Sequence, residues 1–329
     1  EWQRGWLAGA GAARQAAYGT SVLAGAPVLE LPADRVRPAR PASRGGRVPF
    51  RVSGEVLDAV RALATRRGAT PMMAVLAAFK VLLARYAGQA DVVVGTPVAG
   101  RNRPELEGLI GLFANTLALR TDLGGDPSFG EALGRVRDTV VGAQTHQDLP
   151  FDRVVDALRQ EAADPRRHPL FDVMFTYVLE VRDEARLPGV ALAGVAMEGA
   201  ATKFDLSLHV TEGADALGCA LEYRTDLYDA ATIGRMADHF ARLLAAAAAA
   251  PETRISALPL LGGEERRRIA DGWNRTDRPY PRGVCIHERF GAQVRERPGA
   301  EALAWGGARW TYAELDARAN RLARHLVRR

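Results

Sequence analysis

Three polar clusters interrupt otherwise apolar or structural stretches of this 329-residue sequence, and they are where chemistry could reside. The first is Asn115-Thr116, set inside the apolar run Leu109-Ile110-Gly111-Leu112-Phe113-Ala114 and Leu117-Ala118-Leu119. A buried amide without partners costs about 1 to 3 kcal/mol, so Asn115 either fixes a backbone crossing or faces a cavity. The second is His146-Gln147-Asp148, just before Pro150, which opens a helix through Val154, Val155 and Leu158. Asp148 there reads as a helix-start residue that favours free amide groups. His146 is a candidate cavity-facing residue, although a lone His beside a helix start is usually a hydrogen-bonded structural group. The third, His168-Pro169-Leu170-Phe171-Asp172, has His-x-x-x-Asp spacing, but its central proline and the alternating strand that follows read as structural. His209, His239, His287 and His325 have no partner spacing that suggests a metal or a triad. No Gly-x-Ser-x-Gly, phosphate loop or dinucleotide fingerprint occurs in adequate context.

These clusters need a scaffold, and the hydrophobic periodicity supplies one. Asp91 to Pro97 is a β-branched run that reads as a strand covered on both faces, and Leu109 to Arg120 reads as a second strand with Leu117 and Leu119 on one face. Residues 98–108 between them form a Gly, Pro and charged crossing. Upstream, an N-terminal Ala-rich helix is expected to break near Tyr18-Gly19-Thr20-Ser21, and Pro27 to Pro49 reads as an extended surface crossing. Ser53 caps a helix with Val56, Leu57, Val60, Leu63 and Ala64 inward, ending at Gly68, and Thr70-Pro71 starts another with Met72, Met73, Leu76, Phe79, Lys80, Leu83 and Tyr86 along one stripe.

Downstream, Ser128 and Glu131 have capping-box spacing. From Leu170 the period becomes two: Phe171, Val173, Phe175 and Tyr177 share a face, as do Phe204, Leu206, Leu208 and Val210, and Leu217, Cys219, Leu221 and Tyr223. Glu212-Gly213-Ala214-Asp215 joins the last two sets as a hairpin, and Asp229 begins a helix with Ile233, Met236, Phe240 and Leu243 inward. Helices and strands in this order predict an α/β sandwich, one sheet backed by helices. Beyond Pro251, Leu258, Leu260, Leu261 and Trp273 are isolated anchors of a linker that docks on a neighbour. A helix over His287 to Arg297, a hairpin turning at Gly306-Gly307 and a capping box at Thr311 and Glu314 complete the chain.

Composition is that of a globular protein, 47% hydrophobic and 25% charged. The net charge of +5 comes from scattered arginines, and without a basic face interleaved with aromatics no nucleic-acid partner is expected. Two cysteines far apart, Cys219 and Cys285, make neither a metal pair nor a disulfide framework and suit a reducing, cytoplasmic setting. No apolar run is long enough for a bilayer, so no membrane partner is expected. The start at Glu1 predicts further residues upstream.

Gly95-Thr96-Pro97-Val98-Ala99-Gly100-Arg101, Ile110 to Leu117, His146 to Asp152, and Asp164-Pro165-Arg166-Arg167-His168-Pro169-Leu170-Phe171 occur in one fixed order. Together they resemble the C-terminal lobe of the condensation domain of nonribosomal peptide synthetases. Trp310-Thr311-Tyr312-Ala313-Glu314-Leu315 is similar to the first core motif of an adenylation domain. The resemblance implies an α/β, chloramphenicol-acetyltransferase-like lobe over residues 1–254, with a mixed sheet backed by helices, an inter-domain linker over 255–283, and a truncated adenylation start over 284–329.

It further implies amide formation between aminoacyl and peptidyl thioesters carried on the 4'-phosphopantetheine of upstream and downstream peptidyl carrier domains, in concert with the chain's own N-terminal condensation lobe and an adenylation domain in cis. The family's His-His-x-x-x-Asp-Gly motif belongs to that N-terminal lobe and is absent from this sequence, so no catalytic residue is assigned and the fragment alone is expected to be inactive. Asn115, Thr116, His146, Gln147 and Asp148 become candidate tunnel or substrate-binding residues. ATP and Mg would serve only a complete adenylation domain. Two alternatives stay open: a non-catalytic platform for carrier or partner proteins, and an epimerisation domain, against which the adenylation-like segment argues.

Overall fold

The computed structural model describes residues 2–40, 42, 44–158, 164, 166–180, 201–280 and 282–329. Glu1, Pro165 of the stretch Asp164 to Phe171 and Pro281 of the predicted linker lie outside the described residues. The chain divides into two compact units, Glu1–Gly263 and Glu264–Arg329.

In chain order the first unit contains α1 (Trp2–Leu7), α2 (Ala10–Leu23), β1 (Gly45–Val52), α3 (Gly54–Arg66), α4 (Pro71–Ala87), β2 (Asp91–Val98) and the short α5 (Pro104–Glu107). There follow β3 (Asn115–Asp122), α6 (Phe129–Thr145), α7 (Phe151–Leu158), β4 (Val173–Leu179), β5 (Leu206–Glu212), β6 (Leu217–Arg224) and α8 (Ala230–Ala249). Six strands form one mixed sheet in the order β1-β6-β5-β4-β2-β3, with β4 parallel to both β2 and β5 and the remaining pairs antiparallel.

The sequence explains why α4 is central. Thr70 accepts a hydrogen bond from the Met73 N–H, Pro71 occupies the first helical position, and almost every later residue is apolar, so the helix is buried all round. With α3, α6 and α8 it covers one sheet face, where Leu76, Phe79, Phe175, Leu208, Leu221 and Phe240 share a core. Lys80 lies at the centre of that core, fully buried, and its Nζ donates to the Val92 carbonyl (3.3 Å), the Leu119 carbonyl (2.6 Å) and Thr121 Oγ1 (2.8 Å). Three ammonium protons thus meet three acceptors across β2 and β3. On the opposite face, Leu23, Val93, Leu170, Phe171 and Met174 form a second cluster under α2 and α7.

Several expectations need correction. The first concerns α2, which runs unbroken through Tyr18 to Ser21, because a Cβ on Gly19 would come within 3.2 Å of Val154 and the glycine is therefore a close-packing site against α7. The predicted surface crossing ends early: Gly45–Val52 is a strand, with Pro49 tolerated because β1 lies at the sheet edge among the described residues. Leu109 to Ala114 are not strand, and β3 begins at Asn115. Phe171 and Phe204 precede their strands and turn to the second cluster, away from Val173, Phe175 and Leu206. There the Phe171 ring fills the space over Gly95, where a Cβ would lie 2.1 Å from it. Of the linker anchors, Leu258 is buried in the first unit and Leu260 packs on its core, while Leu261 is 40% exposed and Trp273 falls in the second unit.

The short α9 (Gly263–Arg267) begins at the last residue of the first unit, and the second unit goes on with a π-helical turn, α10 (Ile286–Glu296), the hairpin β7 (Glu301–Trp305) and β8 (Ala308–Thr311), and α11 (Tyr312–Val327). Thr311 and Glu314 make the predicted capping box, and Arg318 lies over the Trp310 ring at 4.1 Å. Among the described residues no single helix is long and apolar enough to cross a membrane.

Candidate functional site

β2 and β3 are antiparallel neighbours, a pair that two to five residues can join, yet residues 99–114 intervene. This excursion braces itself. The Arg101 guanidinium donates to the Leu106 and Gly111 carbonyls and lies 4.4 Å from the centre of the Phe113 ring. Gly100 takes φ +64, and a Cβ there would sit 1.9 Å from the Phe113 carbonyl oxygen, so only glycine fits. With the frame folded inward, Leu109, Ile110 and Leu112 point outward, Ile110 and Leu112 fully exposed.

Asn115 ties the end of this loop to the turn before α7. Its Nδ2 donates to the carbonyls of Gln147 (2.9 Å) and Leu149 (2.8 Å), and its Oδ1 accepts the N–H groups of Thr116 (2.9 Å) and Phe151 (3.0 Å). All four hydrogen-bonding positions of the amide are taken by backbone. The side chain that satisfies the first turn of α7 is therefore Asn115, from another strand, and not Asp148 as expected from proximity. Asp148 instead turns its carboxylate to two amides, accepting from Asn102 Nδ2 (2.5 Å) and Gln15 Nε2 (3.3 Å), while Gln15 Oε1 accepts the Leu149 N–H (2.8 Å).

A cavity of about 240 Å³ opens beside this clasp, lined by Gln3, Trp6, Asn102, Phe113, Asn115, Gln147 and Asp148 among others. Three of the five sequence-derived candidates, Asn115, Gln147 and Asp148, thus come together. Thr116, paired with Pro97 across the strands, and His146 lie outside that lining. The His146 ring stacks on Tyr18 at 3.8 Å, nearly parallel, and its Nδ1 meets the Gly142 carbonyl at 2.8 Å, so it joins α6 to α2. Sequence reasoning missed Asn102 and Gln15. The long link between adjacent strands was a signal for the first; nothing local marks the second, 133 residues from Asp148.

A larger cavity of about 590 Å³ lies beneath residues 26–30 and is walled by Arg166, Arg167, His168 and Asp172. Its charges are internally matched: Arg167 pairs with Asp172 (2.8 Å) and Glu30 (2.9 Å), and Arg166 with Asp164 (2.8 Å). His168 and Asp172 do not form a proton-transfer dyad, since the contact runs from the His168 backbone N–H to the carboxylate (3.1 Å). The imidazole sits among Phe151, Phe171 and Phe204, and burial lowers its pKa. Burial, reinforced by nearby Asp205, raises the pKa of Asp172. Elsewhere, burial also lowers the pKa of His209, whose Nε2 is 3.7 Å from Glu222, and His239 meets the Tyr86 hydroxyl at 2.7 Å. Among the described residues no group of His, Cys, Asp and Glu could hold a metal ion.

The condensation-domain family model matches residues 1–270. A linear gramicidin synthase protein of Brevibacillus parabrevis is 44% identical over 328 residues, covering 99% of this chain and 4% of that protein. The chain thus spans only a small part of the curated relatives it matches. Among solved structures, the X-domain in its complex with OxyB from teicoplanin biosynthesis aligns with a TM-score of 0.74 at 31% identity, covering 79% of this chain and 59% of that one. A four-domain nonribosomal peptide synthetase bound to AMP and glycine aligns with a TM-score of 0.73 at 24% identity, covering 92% of this chain and 24% of that one, a likeness of fold.

Proposed function

The chain belongs to the condensation-domain family, and from that membership we propose that residues 1–254 are the C-terminal lobe of an amide-forming condensation domain in a nonribosomal peptide synthetase elongation module. In the proposed reaction the amine of an acceptor aminoacyl group attacks the carbonyl of a donor thioester. The C–N bond forms, the C–S bond breaks, and the carrier thiol leaves with the proton the amine gives up. Such a step needs the two carried groups held close and the forming oxyanion met by donors. The proton-handling His motif would come from the N-terminal lobe, outside this sequence.

One observation carries this reading: a self-braced excursion of sixteen residues, between two strands that need no such link, presents Leu109, Ile110 and Leu112 outward. An ordered loop with an outward apolar face is what a docking edge for another lobe requires. On this reading the cavity lined by Asn115, Gln147 and Asp148 belongs to the channel for a phosphopantetheine arm delivered by a carrier domain. Its volume of about 240 Å³ suits part of a slender chain, the rest being enclosed by the facing lobe. Thr116 and His146 would support that wall from behind. Residues 255–283 would be the linker, and 284–329, with hairpin and capped helix, the start of an adenylation domain that continues beyond this sequence and would bind ATP and Mg only when complete.

A second reading is favoured by one finding, that the X-domain relative was solved in complex with another protein, OxyB. On this second reading the lobe of this chain would serve as a platform for a partner protein in place of condensation. The two part in a single assay. The module containing this chain with its N-terminal lobe is given donor- and acceptor-loaded carriers, and the amide product is measured beside this chain alone. The condensation reading expects product from the module only. No product from a folded, correctly loaded module would refute it, as would synthesis by this chain unaided.

A further inference from the structure

We infer that Asn102 and Asp148 are a positioning pair, which moors the excursion of residues 99–114 to the body of the lobe and so sets where its apolar edge stands during acyl transfer. This rests on the proposed condensation role. The interactions within the loop, from Arg101 to Leu106, Gly111 and Phe113, give it shape but fix nothing about where that shape is held. Asn102 reaches out of it, and its Nδ2 meets Asp148 Oδ1 at 2.5 Å.

Asp148 is itself anchored. Gln15 on α2 donates to its other oxygen, and the Gln15 carbonyl oxygen is held by the Leu149 N–H, so Gln15 has one orientation only. Asn115 binds the carbonyls on either side, at Gln147 and Leu149. The carboxylate is thereby presented by a turn fixed from two elements, whereas Asn102 is exposed and free to rotate its amide. A hydrogen bond to an ionised acceptor is about twice as strong as a neutral one, which suits a mooring point.

This asymmetry gives the pair a signature that a general packing role would lack. Asn102→Asp sets two carboxylates against each other and should free the loop. Asp148→Asn alone should be milder, because the Asn102 amide can turn its oxygen to the new donor while Gln15 keeps its acceptor, and only the charge assistance is lost. The exchanged pair, Asn102→Asp with Asp148→Asn, restores one donor and one charged acceptor.

Two readouts test it. Amide hydrogen exchange over residues 99–114, measured on this chain, should rise about tenfold in Asn102→Asp, about threefold in Asp148→Asn, and return to within about twofold of wild type in the exchanged pair, as loss of one charge-assisted bond or of its charge alone predicts. Turnover of the loaded module should fall in Asn102→Asp, with the unfolding temperature unchanged, while the two Asp148 variants are read by loop exchange alone. Unaltered exchange in Asn102→Asp, failure of the exchanged pair to restore it, or turnover indifferent to a freed loop would each overturn the inference. A wild-type module that forms no amide would instead sink the condensation reading, and the exchange arm would still decide the mooring.

Discussion

Lys80 offers the sharpest test of the core. Burial lowers its pKa from 10.5 to about 7, with Asp91 opposing. The unfolded chain keeps this proton up to its ordinary pKa while the folded chain releases it above about 7, so between those values the unfolded state binds more protons and raising the pH favours folding. At about 1.4 kcal/mol per unit the full window is worth about 5 kcal/mol. That is a ceiling, because the acceptors at Val92, Leu119 and Thr121 favour the ammonium and draw the pKa back toward its usual range. The perturbation is Lys80→Met, which keeps the volume and removes the titrating group. Urea unfolding of both proteins at three pH values from neutral to about 9.5 should show the wild-type advantage widening by about 1 kcal/mol per unit, other groups cancelling in the difference. A pH-independent gap would refute the reasoning and mean that the acceptors outweigh burial.

Asn115→Ala should lower stability by about 2 to 4 kcal/mol in chemical denaturation, since four backbone groups lose their partner at once. Gly95→Ala drives a methyl against the Phe171 ring and should cost about 1 to 3 kcal/mol, read as a fall in denaturation midpoint, with Phe171→Leu in the same chain recovering part of it. Thr311→Ala removes the cap of α11 and should cost the second unit about 1 kcal/mol, visible as faster amide exchange in residues 312–316 with the first unit unaffected.

Legibility followed the range of the forces involved. The helix starts at Thr70, Ser128 and Thr311 were readable because cap and N–H lie three residues apart, and the inward faces of β5 and β6 because alternation is local. Alternation misled only where the backbone was not yet strand, at Phe171 and Phe204, and the break expected at Gly19 failed because the glycine answers to Val154 on another helix. At the candidate site, Asn115 was conspicuous as a polar residue in an apolar run, but its partners were not. The mooring through Asn102, Asp148 and Gln15 joins three distant stretches, and no window along the chain contains it.

The proline in β1 has a consequence for how copies of this lobe meet. Among the described residues the strand borders the sheet past the bridge from Arg44 to Ala201, Pro49 has no N–H to offer a newcomer, and the exposed Arg47 and Arg51 flank it on the same side of the strand. A second molecule sliding alongside would forfeit a rung of its ladder and bring like charges into register. Over these residues the margin is a poor template for strand exchange, which disfavours edge-to-edge zipping of crowded copies there.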